Sequence, residues 1–208
     1  MFPLPWSVHR WIEGDVVADD TVDDWPELGR ALARFVSALH GVDLAGRERR
    51  GDLSWYRGGP LGDVDDWVRR SLAECRTLEG LDLDLDGLEK LWAGALELPE
   101  ATAGHVWMHG DLKPTNLLVR DGRLVAVIDF GGLSIGDPDA EHAPLWDLPG
   151  TAREAYRTAL AVDEPAWRRA RAWAVAVAVS GVAYYWDTYP AFVAECLRRL
   201  ENVLADPD

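Results

Sequence analysis

The chain has 208 residues, a length that fits one ordinary domain. Its 48% hydrophobic content is enough for a packed core and excludes a disordered chain. The formal net charge of −15 argues against a nucleic-acid partner, whose phosphates demand Lys and Arg, and is compatible with a cationic small molecule or simply with solubility.

In chain order, Asp23-Asp24-Trp25-Pro26-Glu27 reads as a helix start, with a capping Asp and Pro in the first turn. Leu28, Leu32, Phe35, Val36 and Leu39 then share one face, and Gly41 closes the helix. An irregular loop rich in Gly and Arg runs from Gly46 to Gly62 and contains Trp55 and Tyr56. A second helix is expected from about Asp63, burying Val64, Trp67, Val68, Leu72 and Cys75. A third spans about Leu85–Leu98, with Leu88, Leu91, Trp92 and Ala95 inward and Pro99 as its stop.

His105–Met108 is strand-like, and the apolar segments Leu117–Val119 and Leu124–Ile128 bracket Asp121-Gly122, a short hairpin signal. From Asp139 the chain is expected to return to helix, with a capping box at Thr151 and Glu154, a helix opening at Asp163-Glu164-Pro165, and a last helix from Pro190 to near Leu204. The apolar run Ala172–Trp186 contains Ser180 and Gly181 and falls short of the about 20 residues of a membrane span, so a buried core helix and no membrane partner are expected. Cys75 and Cys196 lie in helix-like apolar patterns and read as reduced thiols; with no leader-like start, this points to the cytoplasm.

Between these elements lies His109-Gly110-Asp111-Leu112-Lys113-Pro114-Thr115-Asn116, followed by Ile128-Asp129-Phe130-Gly131. Phosphoryl transfer from a nucleotide to a hydroxyl needs a carboxylate to take the proton. It also needs an amide oxygen and a second carboxylate to hold the Mg²⁺ that bridges the phosphates. Asp111 has the type and position of the catalytic base, and Asn116 and Asp129 those of the Mg²⁺ ligands. The hairpin between the two motifs would bring all three to one end. The competing reading makes Asp111 and Asn116 turn caps and Asp129 a strand end. Lys113 reads either as a contact to the transferred phosphate or as a solvated side chain, and His109 as a buried residue that holds the loop by hydrogen bonding.

A zinc site at His105 and His109 is discouraged, since four residues of strand cover about 13 Å. Of the 11 tryptophans most fall on apolar helix faces, whereas Trp55 and Trp146 lie in less regular stretches and are open to a pocket role as well as to a core one. The acidic clusters near Asp19, Asp63 and Asp82 read as caps and solvated faces.

The pair His109–Asn116 and Ile128–Gly131 resembles the kinase-like phosphotransferases of the aminoglycoside phosphotransferase family. Gly110 stands where protein kinases usually have Arg, and no Ala-Pro-Glu element follows, which points to a small-molecule kinase. Gly136-Asp137-Pro138-Asp139-Ala140-Glu141 resembles the family's Gly-Asp-Pro-x-x-Asp segment, with Glu141 in place of the last Asp. Pro5–Gly14 resembles the last strand of the N-terminal lobe and the hinge that holds adenine, which implies nucleotide contacts at Trp11, Ile12 and Glu13.

The resemblance implies an α+β, mainly α fold: a protein-kinase-like C-terminal lobe with a small β-hairpin at the catalytic site. Residues 1–20 would be a remnant of the last N-lobe strand and hinge, and residues 21–208 the helical C-lobe. Only Lys90 and Lys113 are lysines and no glycine-rich loop precedes the hinge-like segment, so the N-terminal lobe is expected to be absent.

The expected function is transfer of the γ-phosphate of ATP or GTP, with Mg²⁺, to a hydroxyl of a small molecule, aminoglycoside-like or other, with weak activity in so short a chain. The alternative is an inactive kinase-like lobe that binds a ligand or partner. An exposed lobe-facing surface near residues 3–11 would favour a homodimer or a complementing chain.

Overall fold

The structure is a computed structural model and describes residues 8–206. Six helices and two small sheets make up the fold. The helices are α1 (Trp25–His40), α2 (Asp65–Cys75), α3 (Leu85–Leu96), α4 (Gly150–Leu160), α5 (Glu164–Tyr185) and α6 (Pro190–Ala205). The strands are β1 (Asp15–Val16), β2 (Val106–Met108), β3 (Leu117–Arg120), β4 (Arg123–Val127) and β5 (Ser134–Gly136). Mainly helical architecture with a hairpin between the two motifs agrees with expectation. No helix of the described residues is long and apolar enough to cross a membrane.

The helices begin where polar side chains can take up their unpaired N–H groups. Asp24, Asp84 and Asp163 accept from Glu27, Gly87 and Ala166, at the starts of α1, α3 and α5. The acidic run around Asp82–Asp86 is therefore partly a cap, as its pattern suggested. In α1, Leu28, Leu32 and Val36 face the core; in α5 burial runs all round from Ala170 to Val179, so this helix forms the centre of the molecule. Trp92, Trp146 and Trp173 are the largest side chains sealed inside.

Several boundaries differ from the sequence reading. A 3₁₀ turn, Leu61–Val64, precedes α2, so the helix starts at Asp65 rather than about Asp63. α3 ends at Leu96, short of Leu98. Pro149 takes the N-cap position of α4 and no side chain caps it, so Thr151 lies inside the first turn and the expected capping box is not formed. Residues Pro138–Asp147 are 3₁₀ helix rather than α, with Pro144 inside, and the segment from Asp139 to Trp146 is buried. The return to helix expected from Asp139 is thus of the 3₁₀ type. The N-lobe strand expected within Pro5–Gly14 lies partly outside the described residues; from Val8 to Gly14 the chain forms no strand, and β1 begins at Asp15.

One sheet has the order β1-β3-β4 and the other pairs β2 with β5, all antiparallel. Asp121 and Gly122 turn the β3–β4 hairpin with φ of 53° and 71°, the positive values that a tight two-residue hairpin turn requires. Leu117 pairs with Val127, and one step further Ile128 N–H donates to Asn116 C=O at 2.9 Å. The open end of the hairpin thus delivers Asn116 and, directly after Ile128, Asp129. β5 had no clear sequence signal; it pairs Met108 with Ser134 and so ties the strand leading into the first motif to the chain leaving the second.

Candidate active site

Between β2 and β3 the first motif forms a tight loop held by its own groups. A 3₁₀ turn, Pro114–Asn116, follows Lys113, with Asn116 N–H donating to Lys113 C=O at 2.9 Å. Asn116 is buried, and its Nδ2 donates to both the Asp111 carbonyl at 2.8 Å and Asp111 Oδ2 at 3.0 Å. Both partners are pure acceptors, so the amide nitrogen must face them and Oδ1 faces away. Lys113 Nζ lies 3.6 Å from the same Asp111 oxygen.

His109 is fully buried beneath this loop. Its Nδ1 lies 3.2 Å from the Asp111 N–H and its Nε2 is 3.0 Å from Ile128 C=O. A backbone N–H can only donate, so Nδ1 is the bare nitrogen and Nε2 carries the proton, donated to the carbonyl. Burial, opposed by the Ile128 carbonyl, lowers the imidazole's pKa and keeps it neutral. The ring links the first motif to the second, and Phe130 packs on it with centroids 4.6 Å apart.

Asp129 is in the left-handed region, φ 63° and ψ 67°, unusual for a residue other than Gly. Its Oδ1 accepts from Gly131 N–H at 3.3 Å, while the carboxylate remains exposed. The bend turns this carboxylate out of the strand direction at the end of the hairpin where Asn116 lies.

Two residues at this site carried no readable motif. Glu141, buried in the 3₁₀ segment, accepts from the backbone N–H of His109 at 2.5 Å and of Gly110 at 3.0 Å. Burial pushes its carboxyl up to about 7, against the pull of the two amides. Its sequence signal was its place at the last position of the Gly-Asp-Pro-x-x-Asp-like segment. Arg57, from the loop before α2, donates to Gly110 C=O and lies 3.5 Å from Asp111 Oδ1. Its guanidinium also lies 5.1 Å from the Trp55 ring centroid and 5.3 Å from that of Tyr56.

Trp55 itself packs on Gly110 and Gly132. A Cβ at Gly110, where φ is 80°, would meet Gly132 O at 2.6 Å and the Trp55 ring at 2.9 Å. That crowding explains the absence of Arg from this position in physical terms. Trp146, in contrast, is fully buried in the core and lines no part of this site.

Asp111, Lys113 and Asn116 are therefore in mutual contact, with Asp129 at the same hairpin end. Trp11, Ile12 and Glu13 are not part of that cluster. Val17 N–H bonds Leu117 C=O and Asp15 pairs with Val119, so β1 runs antiparallel to β3, and Trp11–Glu13 precede its start. These three side chains are exposed.

A family profile described as the phosphotransferase enzyme family matches residues 2–173. The chain belongs to that family. Aminoglycoside 3'-phosphotransferases of Escherichia coli and Salmonella typhimurium are each 24% identical to it over 151 residues, a span of 70% of this chain and 53% of theirs. The chain thus spans about half the length of the curated relatives it matches.

Among solved structures, APH(2")-IIia bound to GDP and kanamycin is 18% identical with a TM-score of 0.62, the match covering 95% of this chain and 70% of that one. A macrolide 2'-phosphotransferase of Brachybacterium faecium is 22% identical with a TM-score of 0.54, covering 95% and 69%. At these identities the likeness establishes the family's kinase-like fold. Membership in a phosphotransferase family and the paired motifs agree with the sequence reading.

Proposed function

We propose that this member of the family transfers the γ-phosphoryl group of a nucleoside triphosphate to a hydroxyl of a small molecule, with Asp111 as the base. The observation that carries this reading is the pairing of Asp111 with Asn116 at 3.0 Å, at the hairpin end that also presents Asp129. Asp111 would orient the acceptor hydroxyl and take its proton, a contribution of about 10²–10⁴ in rate. Lys113, with Nζ 3.6 Å from Asp111, would meet the phosphoryl group as it approaches that hydroxyl. His109, neutral and bonded at both ring nitrogens, would act by holding the loop and not by proton transfer.

The residues fit a magnesium ion. Asn116 is left with Oδ1 and Asp129 with an exposed carboxylate, both hard oxygen donors. Among the described residues no cluster of three or more Asp, Glu, His or Cys forms a metal cage. That suits a cation which keeps waters and takes its remaining ligands from substrate phosphates. When bound, Mg²⁺ would neutralise charge on those phosphates.

The division into a hinge segment, residues 1–20, and a helical body, residues 21–208, belongs to the same proposal. β1 pairs with β3 of the hairpin, and the segment Trp11–Glu13 leads directly into it. Trp11 and Ile12, 81% and 42% exposed, would cover the base, and Glu13 would flank it.

The test is transfer of label from γ-labelled ATP and GTP to a panel of hydroxyl compounds, with wild type and Asp111→Asn. Transfer that requires Mg²⁺ and disappears in Asp111→Asn, at unchanged nucleotide affinity, supports the reading. Transfer that survives the substitution overturns it.

A further inference from the structure

Beside the catalytic loop, and not used by the mechanism above, is a pocket of about 500 Å³ lined by Lys113, Thr115, Tyr185, Tyr189, Phe192 and Glu195. Its volume is in the range of small-molecule sites. One wall is the catalytic loop itself, through Lys113 and Thr115, and Lys113 Nζ lies 3.6 Å from Asp111 Oδ2.

The opposite wall comes from the end of α5 and the start of α6, and it is aromatic. Tyr185 meets Phe192 edge-on at 5.2 Å, and Tyr189 stacks on Phe192 with 25° between the planes and centroids 5.9 Å apart. Tyr184, 77% exposed, packs edge-on against Tyr185 at 4.6 Å, and Tyr189 is 54% exposed. Large rings held in a mutual lattice yet open to solvent offer a preformed surface for another flat or apolar ring, at little cost in side-chain ordering. The pocket's charges are one carboxylate, Glu195, and one ammonium, Lys113. A ligand ammonium group has Glu195 as its partner in the lining, while the charge of Lys113 lies beside the Asp111 carboxylate.

We propose that this pocket is the acceptor site and that the acceptor is a hydroxylated compound with an apolar or aromatic ring face and at most one ammonium group, the ring stacked on Tyr189 and Tyr185 and the ammonium paired with Glu195. This rests on the phosphotransferase reading for the role of the neighbouring base, but the chemistry of the pocket stands separately. The overall negative charge of the protein favours the approach of a single cation.

The test is equilibrium binding to the full chain by calorimetry. The probes are 4-nitrophenyl 2-amino-2-deoxy-β-D-glucoside, its neutral analogue 4-nitrophenyl β-D-glucoside, and kanamycin. Tyr189→Ala, at an exposed position that leaves the fold intact, should weaken both aryl glycosides about tenfold. Glu195→Gln should weaken only the amino probe, by about threefold, and leave the neutral one unchanged. Kanamycin should bind more weakly than the amino probe. Kanamycin binding more tightly, or aryl glycosides indifferent to Tyr189→Ala, would overturn the proposal.

Label transfer to the same probes separates the two readings. Binding that depends on Tyr189 without any transfer removes the kinase assignment and keeps the pocket. Transfer to a probe whose binding ignores Tyr189 removes the pocket and keeps the kinase.

Discussion

The Glu141 carboxylate accepts the backbone N–H of Gly110 at 3.0 Å from a position where no water reaches it. With its other oxygen on the His109 N–H, it is a two-pronged acceptor under the turn that presents Asp111. Replacement by Gln keeps the shape but turns an NH₂ group toward one of two N–H donors. Glu141→Gln is therefore expected to cost about 1–3 kcal/mol of stability, the price of an unsatisfied buried donor. It should also speed amide exchange at His109 and Gly110 more than elsewhere. Urea unfolding and residue-resolved hydrogen exchange check this, and uniform exchange across the chain would show that Glu141 does not brace the loop.

Arg57 reaches the same turn from the other side, through Gly110 C=O and Asp111 Oδ1. Lysine retains the charge but cannot present a planar fork that bonds a carbonyl while lying over two rings. Arg57→Lys and Arg57→Ala should therefore behave alike, each lowering turnover about 10- to 100-fold, as expected for one lost charge-assisted hydrogen bond. Nucleotide KM should be unchanged. Steady-state kinetics decide it; a lysine variant with full turnover would mean that charge alone matters at this position.

Asp129 is exposed and bonds only a local N–H, so its loss should leave the fold intact. Asp129→Ala should weaken nucleotide binding in the presence of Mg²⁺ and leave Mg²⁺-free binding nearly the same. Titrations with and without EDTA test this. Equal weakening in both would assign the carboxylate to the fold and not to the metal.

His40 closes α1 against His142, the ring centroids 6.2 Å apart, and its Nε2 is buried without a hydrogen-bond partner. Burial holds His40 down to about 4 and His142 down to about 3. Both rings are thus neutral in the fold, whereas in the unfolded chain they charge near pH 6.5. As pH falls from about 6.5 to 4 the unfolded state takes up protons that the folded state refuses, so this pair loses stability toward acid.

Glu141, raised by burial to about 7, and Asp139, raised by burial and by the Asp137 charge to about 6, act in the opposite sense, because there the folded state binds protons first. His40→Leu removes one acid-side loss alone. Its stability relative to wild type should rise as pH falls through that window, by at most about 1.4 kcal/mol per pH unit. Denaturation at several pH values checks the slope, and a pH-independent difference would show that His40 is not buried neutral.

The candidate cluster was legible because it is local: Asp111, Lys113 and Asn116 lie within one loop, and the hairpin signal at Asp121-Gly122 put Asp129 at the hairpin end where Asn116 lies. α1 and α5 were legible from caps and apolar pattern. Arg57 was not, since its approach to Asp111 depends on the path of an irregular loop with no periodicity. Glu141 was visible as a departure from a family pattern, but its grip on two backbone amides required the fold. β5 was missed because it is short and buried on all sides, which removes the alternation that identifies a strand, whereas the segment from Asp139 was read as a return to helix and its 3₁₀ type required the fold.

The 3₁₀ segment that carries Glu141 begins at Pro138, two residues after Gly136 leaves the β2–β5 ladder, and is anchored at its last residue by Asp147, whose carboxylate bonds Arg199 of α6 at 2.5 and 2.7 Å. At three residues per turn, one inserted or deleted residue would rotate Glu141 by about 120° while both ends stayed fixed. Between Gly136 and Glu141, then, the chain keeps a spacing as exact as a gear tooth: point changes on its apolar faces leave room for adjustment, but a change of length disengages the carboxylate from the turn it supports.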